Sequence, residues 1–240
     1  MSELYLVRHA QASFGEDNYD RLSALGHQQS QWLGEYFKFH GVEFDQVICG
    51  DMVRHHETAE GIARGIGLIP NRLLTHSQWN EFDFERLVEV YLATRPEEAP
   101  PEEAPRSAWF QVLRKALLAW SEDRLEGALK ETWTDFEQRV EQALALATAR
   151  SERNSKVLVV SSGGPISMAI RHILQAPDLT QETLLLFRVP PFLGIAVPHP
   201  KDIKRTCIGR LERRLPRDLP VGRLVRRLRM TWYDGAHNSR

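Results

Sequence analysis

The sequence predicts an α/β fold with a mostly parallel sheet, on the evidence of three short apolar runs and the helical patterns between them. The runs are residues 4–7, 46–49 and 157–160, each the length of a buried strand and largely apolar. Strands covered by helices on both faces are typically continuous apolar runs. The order strand, helix, strand, helix therefore favours parallel strands joined by right-handed crossovers.

Two helical patterns follow the first two runs. Apolar residues recur at the spacing of one helix face between residues 26 and 39, and again between residues 51 and 66. Gly41 follows the first pattern as a stop signal. We therefore expect two helices that pack these faces against the sheet. The apolar residues are Trp32, Leu33, Tyr36, Phe37, Ala59, Ile62, Ala63 and Ile66.

The middle of the chain, about residues 81–150, predicts a mostly helical insertion. Helical patterns cover residues 109–128 and 133–150, and no strand pattern occurs there. Residues 95–106 are rich in proline and glutamate, which is typical of a loop or linker. We expect residues 1–188 to form one α/β domain that includes this insertion, and residues 189–240 to form a separate C-terminal segment.

Composition limits the class of protein. A hydrophobic fraction of 42% and a charged fraction of 26% are those of a globular domain, which excludes disordered and fibrous classes. The two cysteines, Cys49 and Cys207, are too few for a disulfide framework and lack metal-ligand spacing. No leader pattern and no run of about 18 apolar residues is present. We expect a cytoplasmic protein without a membrane span.

The net charge of −1 hides a basic C-terminal segment. Residues 201–240 contain twelve Lys and Arg against four Asp and Glu, a net charge of +8, whereas residues 1–200 carry −9. The segment lacks the interleaved aromatic residues that single-stranded nucleic-acid sites use. We expect a solvated or partly disordered tail in preference to a nucleic-acid site.

Polar residues follow all three predicted strands. Arg8 and His9 end the first, Arg54 follows the second within one helical turn, and Ser-Ser-Gly-Gly-Pro at residues 161–165 follows the third. The carboxyl ends of neighbouring parallel strands meet at one edge of the sheet, where ligands bind in such folds. Two guanidinium groups and the amides of a glycine-rich helix start, with Gly163 at its centre, predict a phosphate pocket.

A histidine in such a pocket can do chemistry. The neutral imidazole of His9 can attack phosphorus and form a phospho-enzyme, so one difficult displacement becomes two easier ones. This route needs a proton donor for the leaving oxygen. Glu81 and, as the alternative, Asp83 at the start of the insertion are candidates.

These residues resemble the signature of a known family, the histidine phosphatase superfamily with its phosphoglycerate mutase-like fold. "LVRHA" is similar to the family's R-H-G/A signature, and "YDRLSALGHQQ" to its D-x-x-L-[ST]-x-x-G-x-x-Q stretch. "RHHETAE" from Arg54 is similar to the R-x-x-[QE]-T-A helix, and "VLVVSSGG" lies where the family has V-x-H-G-G. The motifs occur in the family's order from residue 4 to about residue 170.

The resemblance implies a fold and roles for residues. The fold is a three-layer α/β/α sandwich with a mostly parallel sheet and a helical cap drawn from the insertion. His9 would be the phosphorylated nucleophile, Arg8 and Arg54 would hold the phosphate, and Glu81 would act as general acid and then as base for water. No metal and no organic cofactor are expected.

The chain departs from the pattern at Ser162, where the family carries a second histidine. A serine keeps one hydrogen-bond donor but has no cationic form, so part of the transition-state stabilisation would be lost. Three residues are candidate replacements for this histidine: His55, His56 and His76. Ser162 itself is a candidate phosphate ligand with Gly163, and Gln11 and Ser13 are further candidates for pocket contacts.

Three functions stay open. The first is a phosphomonoester hydrolase that acts on small molecules through a phosphohistidine at His9, with activity reduced by Ser162. The second is a catalytically silent protein of the same fold that binds phospho-ligands or serves as a scaffold. The third is a phosphoglycerate mutase, which the residues after the signature, "AQASFGEDNYD", do not favour. Substrate identity and oligomeric state do not follow from the sequence.

Overall fold

The computed structural model describes residues 3–13, 20–67, 73–149 and 155–174. The C-terminal segment predicted at residues 189–240 lies outside the described residues. Four strands and six α-helices occur in the described part. In chain order they are β1 (Glu3–Arg8), α1 (Ala24–Phe39), β2 (Gln46–Cys49), α2 (Val53–Ile66), β3 (Leu73–Thr75), α3 (Phe84–Ala93), α4 (Arg106–Ser121), α5 (Trp133–Ala149), β4 (Lys156–Ser161) and α6 (Gly163–Leu174).

All pairs in the sheet are parallel, in the order β1-β4-β2-β3. The last strand in sequence, β4, therefore lies between β1 and β2. Arg8 pairs with Ser161, and Cys49 pairs with Val160, so these three strands end at the same level. The loops that leave them converge at one edge of the sheet, as the sequence predicted.

Helices cover both faces of the sheet. Alternate residues of each strand point in opposite directions, so Tyr5 and Val7 pack towards α1 and α2, while Leu4 and Leu6 pack towards the helices of the insertion and α6. Two separate apolar cores result, one on each face. The predicted three-layer α/β/α arrangement is confirmed.

The helix that follows β2 packs closely on α1. A side chain at Gly34 would place its Cβ 2.1 Å from the carbonyl oxygen of Ile62, so the absence of a side chain at Gly34 permits this approach. The side chain of Ser23 caps α1 by accepting a hydrogen bond from the N–H of Gly26. This packing fixes α2, whose first turn contributes to the site described below.

The insertion is helical, as predicted, but with different boundaries. Helix α4 spans Arg106–Ser121 and ends earlier than the predicted residue 128, and Asp123 just beyond it has a φ of 53°. The sequence patterns did not predict α3 or the three-residue strand β3. Within the described residues, no helix is both long enough and apolar enough to cross a membrane.

Candidate active site

His9 lies at the end of β1 with its ring held by the backbone. The backbone N–H of His9 donates to the carbonyl oxygen of Ser161 on β4 at 2.8 Å. The Nδ1 atom of its ring lies 2.8 Å from the carbonyl oxygen of Ala10. A carbonyl oxygen only accepts hydrogen bonds, so this contact places the proton on Nδ1 and leaves the lone pair on Nε2. A histidine in this form has the nucleophilic nitrogen that attack on phosphorus requires.

The surroundings keep the His9 ring neutral. His9 is only 8% exposed, and burial is the main reason that its pKa lies well below the usual value, with Arg54 and Arg8 lowering the pKa further. A neutral ring keeps its lone pair at mildly acidic pH. The same two arginines supply positive charge for an anion beside it.

Arg54 enters the site from the first turn of α2. It is 3% exposed, and its Nη1 donates to Oδ1 of Asp20 at 2.7 Å. The other carboxylate oxygen of Asp20 accepts from the N–H of Val53 at 3.0 Å, so Asp20 both caps the start of α2 and orients the guanidinium. The adjacent hydroxyl of Thr58 links α2 to β1, because it accepts from the N–H of Ala10 and donates to the carbonyl of Arg54.

The turn from β4 into α6 supplies the glycine-rich part of the site. Helix α6 begins at Gly163, and a Cβ built there would lie 3.8 Å from Cζ of Arg8, so the guanidinium lies directly against this helix start. Free amides at a helix N-terminus and an adjacent guanidinium together favour an anion. The structure thus brings Arg8 and Gly163 together; their role as a phosphate pocket stays a prediction.

Glu81 approaches the same turn from the segment before α3. Its Oε2 accepts from the N–H of Gly164 at 3.2 Å, and a Cβ at Gly164 would lie only 2.1 Å from Oε1. Burial raises the pKa of Glu81, against the opposing effects of the Gly164 amide, Arg54 and Arg8. A carboxyl group with a raised pKa holds its proton to higher pH, which suits a general acid.

The segment that carries Glu81 is fastened on two sides. Nη1 of Arg139, on α5, donates to the carbonyl oxygens of Gln78 and Asn80 at 2.8 and 2.9 Å, and its other nitrogens form an ion pair with Glu131. From the sheet, the hydroxyl of Ser161 donates to the carbonyl oxygen of Trp79 at 2.6 Å. These bonds fix the backbone that places the Glu81 carboxyl group.

Of the three histidines considered as replacements at Ser162, His55 is the one in contact with it. Nε2 of His55 lies 2.7 Å from Oγ of Ser162, and the ring centroids of His55 and His9 are 5.8 Å apart. His56 instead lies 3.7 Å from the sulfur of Cys49, and the N–H of His76 donates to the Cys49 carbonyl oxygen.

The remaining predicted residues lie around this centre. The side-chain oxygen of Gln11 accepts from the hydroxyl of Ser23 at 2.8 Å, and Ser13 is buried with its N–H bonded to the carbonyl of Arg21. The carboxylate of Asp83 caps α3 and forms an ion pair with Lys130 at 2.6 Å. Both partners of this carboxylate belong to the insertion. Of the two candidate acids, Glu81 is thus the one that contacts the β4–α6 turn.

Sequence reasoning missed Asp20, Thr58 and Arg139. Each acts through hydrogen bonds to residues far away in the chain, and no spacing rule indicates such a partner. For Asp20 one signal existed, because the residue lies in the "YDRLSALGHQQ" stretch that resembled the family pattern. Within the described residues, no three potential metal ligands cluster together.

Comparisons with known proteins give one family match and several solved structures of similar fold. Residues 4–186 match the family described as the Histidine phosphatase superfamily (branch 1), and no curated protein matches the chain. One similar solved structure is a putative alpha-ribazole-5'-P phosphatase from Escherichia coli K-12, with 22% identity and a TM-score of 0.53, covering 77% of this chain and 85% of that one. A second is phosphoglycerate mutase from Bacillus anthracis, with 18% identity and a TM-score of 0.51, covering 72% of this chain and 79% of that one. A third is a phosphoserine phosphatase mutant from Entamoeba histolytica, with 17% identity and a TM-score of 0.50, covering 76% of this chain and 85% of that one. At these identities the likeness is one of fold.

Proposed function

Since the chain belongs to the histidine phosphatase superfamily, we propose that it hydrolyses small-molecule phosphomonoesters through a phosphohistidine at His9. The observation that carries the proposal is the convergence of a buried, neutral His9 with Arg8, Arg54 and Glu81 at one sheet edge. Nucleophile, anion-binding cations and proton donor are the parts that such a reaction needs.

In the first step Nε2 of His9 attacks the phosphorus atom while the bond from phosphorus to the ester oxygen breaks. The guanidinium groups of Arg8 and Arg54 and the amide of Gly163 bind the phosphoryl oxygens as charge shifts among them. Glu81 gives its proton to the leaving oxygen, so the alcohol departs neutral. The products are phosphohistidine, a free alcohol and an ionised Glu81.

In the second step Glu81 acts as a base. The carboxylate takes a proton from a water molecule, and the water oxygen attacks phosphorus as the bond to Nε2 breaks. Inorganic phosphate leaves, His9 is again neutral, and Glu81 again carries its proton. Burial raises the pKa of Glu81, which favours the protonated form that the first step needs, while the Gly164 amide, Arg54 and Arg8 favour the carboxylate that the second step needs.

Hydrolysis of p-nitrophenyl phosphate by the wild-type protein tests the proposal. We expect turnover that vanadate inhibits competitively, because vanadate adopts the five-coordinate geometry of the phosphoryl group in transfer. Release of p-nitrophenolate at several vanadate concentrations measures this. Vanadate binding without any turnover would overturn the proposal and support the silent phospho-ligand binding protein.

The pH dependence should identify the acid. His9 must be neutral, so kcat/KM falls as the pH drops through its lowered pKa, and Glu81 must be protonated, so kcat/KM for an alkyl ester falls as the pH rises through its raised pKa. The optimum then lies between the two pKa values. Glu81→Gln should reduce kcat/KM for β-glycerophosphate by about 10²-fold or more and remove the high-pH limb.

The leaving group provides the control for that experiment. Because p-nitrophenolate leaves without needing a proton, Glu81→Gln should slow phospho-enzyme formation from p-nitrophenyl phosphate far less than from β-glycerophosphate. An equal loss for both esters, with the high-pH limb intact, would assign the acid to another residue.

One observation favours the silent binding protein as the second candidate. The resemblance places the superfamily's second histidine at Ser162, and this side chain is 0% exposed and carries no positive charge. The mutase alternative, the cytoplasmic location and the domain limits at residues 1–188 stay predictions.

A further inference from the structure

A buried histidine and serine form a pair that the proposed reaction steps do not use. His55 and Ser162 are both 0% exposed, and Nε2 of His55 lies 2.7 Å from Oγ of Ser162. Ser162 is the last residue before α6, and the preceding Ser161 carbonyl accepts the N–H of His9. The pair therefore lies on the buried side of both His9 and the glycine-rich turn.

The protonation of His55 follows from its partners. Burial, followed by Arg54 and His56, lowers the pKa of His55 well below its usual value, so the ring carries one proton. Nδ1 of His55 is buried without a hydrogen-bond partner among the described residues. Buried N–H groups without acceptors are rarer than unpaired acceptors, which places the proton on Nε2, where it donates to Ser162.

Gly50 provides the room for this ring. A Cβ at Gly50 would lie 2.3 Å from Nδ1 of His55 and 2.6 Å from Oδ1 of Asn80. Gly50 directly follows β2 and donates its backbone N–H to the Val160 carbonyl of β4 at 3.2 Å, which restrains its backbone. A glycine at this position, a histidine on α2 and a serine after β4 thus fit one another.

We propose that His55 is a positioning residue of the phosphoryl-transfer site: its Nε2–H holds the Ser162 hydroxyl, and the pair fixes the His9 ring and the β4–α6 turn from the buried side. The inference rests on the proposed function. Two fully buried side chains joined by one hydrogen bond have little freedom, and a nucleophile is sensitive to small displacements. His55 acts without touching the substrate.

Two amide variants isolate the hydrogen bond. The amide nitrogen of His55→Gln reaches about as far as Nε2 and can still donate to Ser162, whereas that of His55→Asn is too short to do so. We expect His55→Asn and Ser162→Ala to weaken vanadate binding and lower kcat by about 10–100-fold each, since displacements near 1 Å can cost about 10² in rate. His55→Gln should remain within about threefold of wild type.

The double variant tests whether the residues act as a unit. His55→Asn combined with Ser162→Ala should be no worse than either single variant, because losses within one unit do not add. The binding of inorganic phosphate, a ground-state ligand, should change far less than that of vanadate, which a general structural defect would not produce. His56→Asn, one residue along the same helix, is the matched control and should leave both affinities unchanged.

Vanadate and phosphate affinities, measured by calorimetry on the full chain, separate the outcomes. The proposed role of the His55–Ser162 pair would be overturned if both single variants bound vanadate as tightly as the wild type. It would also be overturned if the losses of affinity multiplied in the double variant. A wild type that lacks turnover would overturn the phosphatase, while the vanadate ranking would still decide for or against the pair. A wild type that binds no vanadate would overturn both.

Discussion

His9→Ala is expected to abolish hydrolysis of p-nitrophenyl phosphate, with kcat lowered by about 10³-fold or more, because loss of a covalent nucleophile removes the whole reaction path. Binding should survive. Arg8, Arg54 and the start of α6 are separate from the His9 ring, so the variant should still bind inorganic phosphate within about tenfold of wild type. Initial rates and calorimetric affinities measure the two effects.

His27→Ala is a suitable control for this experiment. His27 lies on α1, and its ring faces Glu57 at 3.8 Å, away from the residues proposed to transfer phosphate. The kcat of His27→Ala should match that of the wild type. If His9→Ala keeps more than about a tenth of the wild-type kcat, His9 is not the nucleophile, since enzymes lose far more on removal of such a group.

Arg54→Lys is expected to lower kcat/KM by about 10²-fold or more, although it keeps the positive charge, because one lost donor to a transferring group costs about 10²–10³. The guanidinium pairs with Asp20 through Nη1 at 2.7 Å, and in the proposed mechanism its planar set of N–H groups also binds phosphoryl oxygens. A single ammonium group cannot make both sets of contacts in that geometry. Steady-state rates with p-nitrophenyl phosphate measure the loss.

Two further variants serve as comparisons for Arg54→Lys. Arg64→Lys, on the same helix, replaces a side chain that is 55% exposed and 4.0 Å from Glu60, and should leave kcat/KM unchanged. Asp20→Asn keeps the Arg54 guanidinium but weakens the contact that orients it. Its kcat/KM should therefore lie between the values of the wild type and Arg54→Lys. An Arg54→Lys variant with wild-type kcat/KM would show that Arg54 only pairs with Asp20.

The sheet and the centre of the site could be predicted because each depends on a local signal. Continuous apolar runs mark β1, β2 and β4, which are buried between two helical layers. Arg8 ends β1, and His9 and Ser162 directly follow β1 and β4, so parallel pairing alone brings them to one edge. The resemblance to the histidine phosphatase superfamily then gave these residues their expected roles.

The elements that the sequence did not predict lack such signals. Strand β3 has three residues, Leu73–Thr75, and depends on pairing with β2 along one side. Helix α3, at Phe84–Ala93, directly follows Glu81 and Asp83 and depends on the Asp83 cap and on packing against the insertion. Short elements owe most of their stability to tertiary contacts.

The supporting contacts of the site could not be predicted for a different reason. His55 and Ser162 are 107 positions apart, and Arg139 lies about 60 positions from the carbonyl groups that it binds. Side-chain hydrogen bonds across such separations depend on the folded geometry and leave no period or spacing in the sequence. His55 could be named as one of three candidates, but its contact with Ser162 required the structure.

Trapping the phosphoryl group on the protein tests the central claim most directly. In Glu81→Gln the base for the second step is missing, so a rapid base quench after mixing with p-nitrophenyl phosphate should find the phospho-enzyme accumulated. We predict a burst of about one p-nitrophenolate per protein chain and one phosphoryl group, stable to base and labile to acid, mapped to His9 by peptide mass spectrometry. Release of p-nitrophenolate by Glu81→Gln without any phosphoryl group on the chain, or a phosphoryl group on another residue, would contradict the phosphohistidine mechanism.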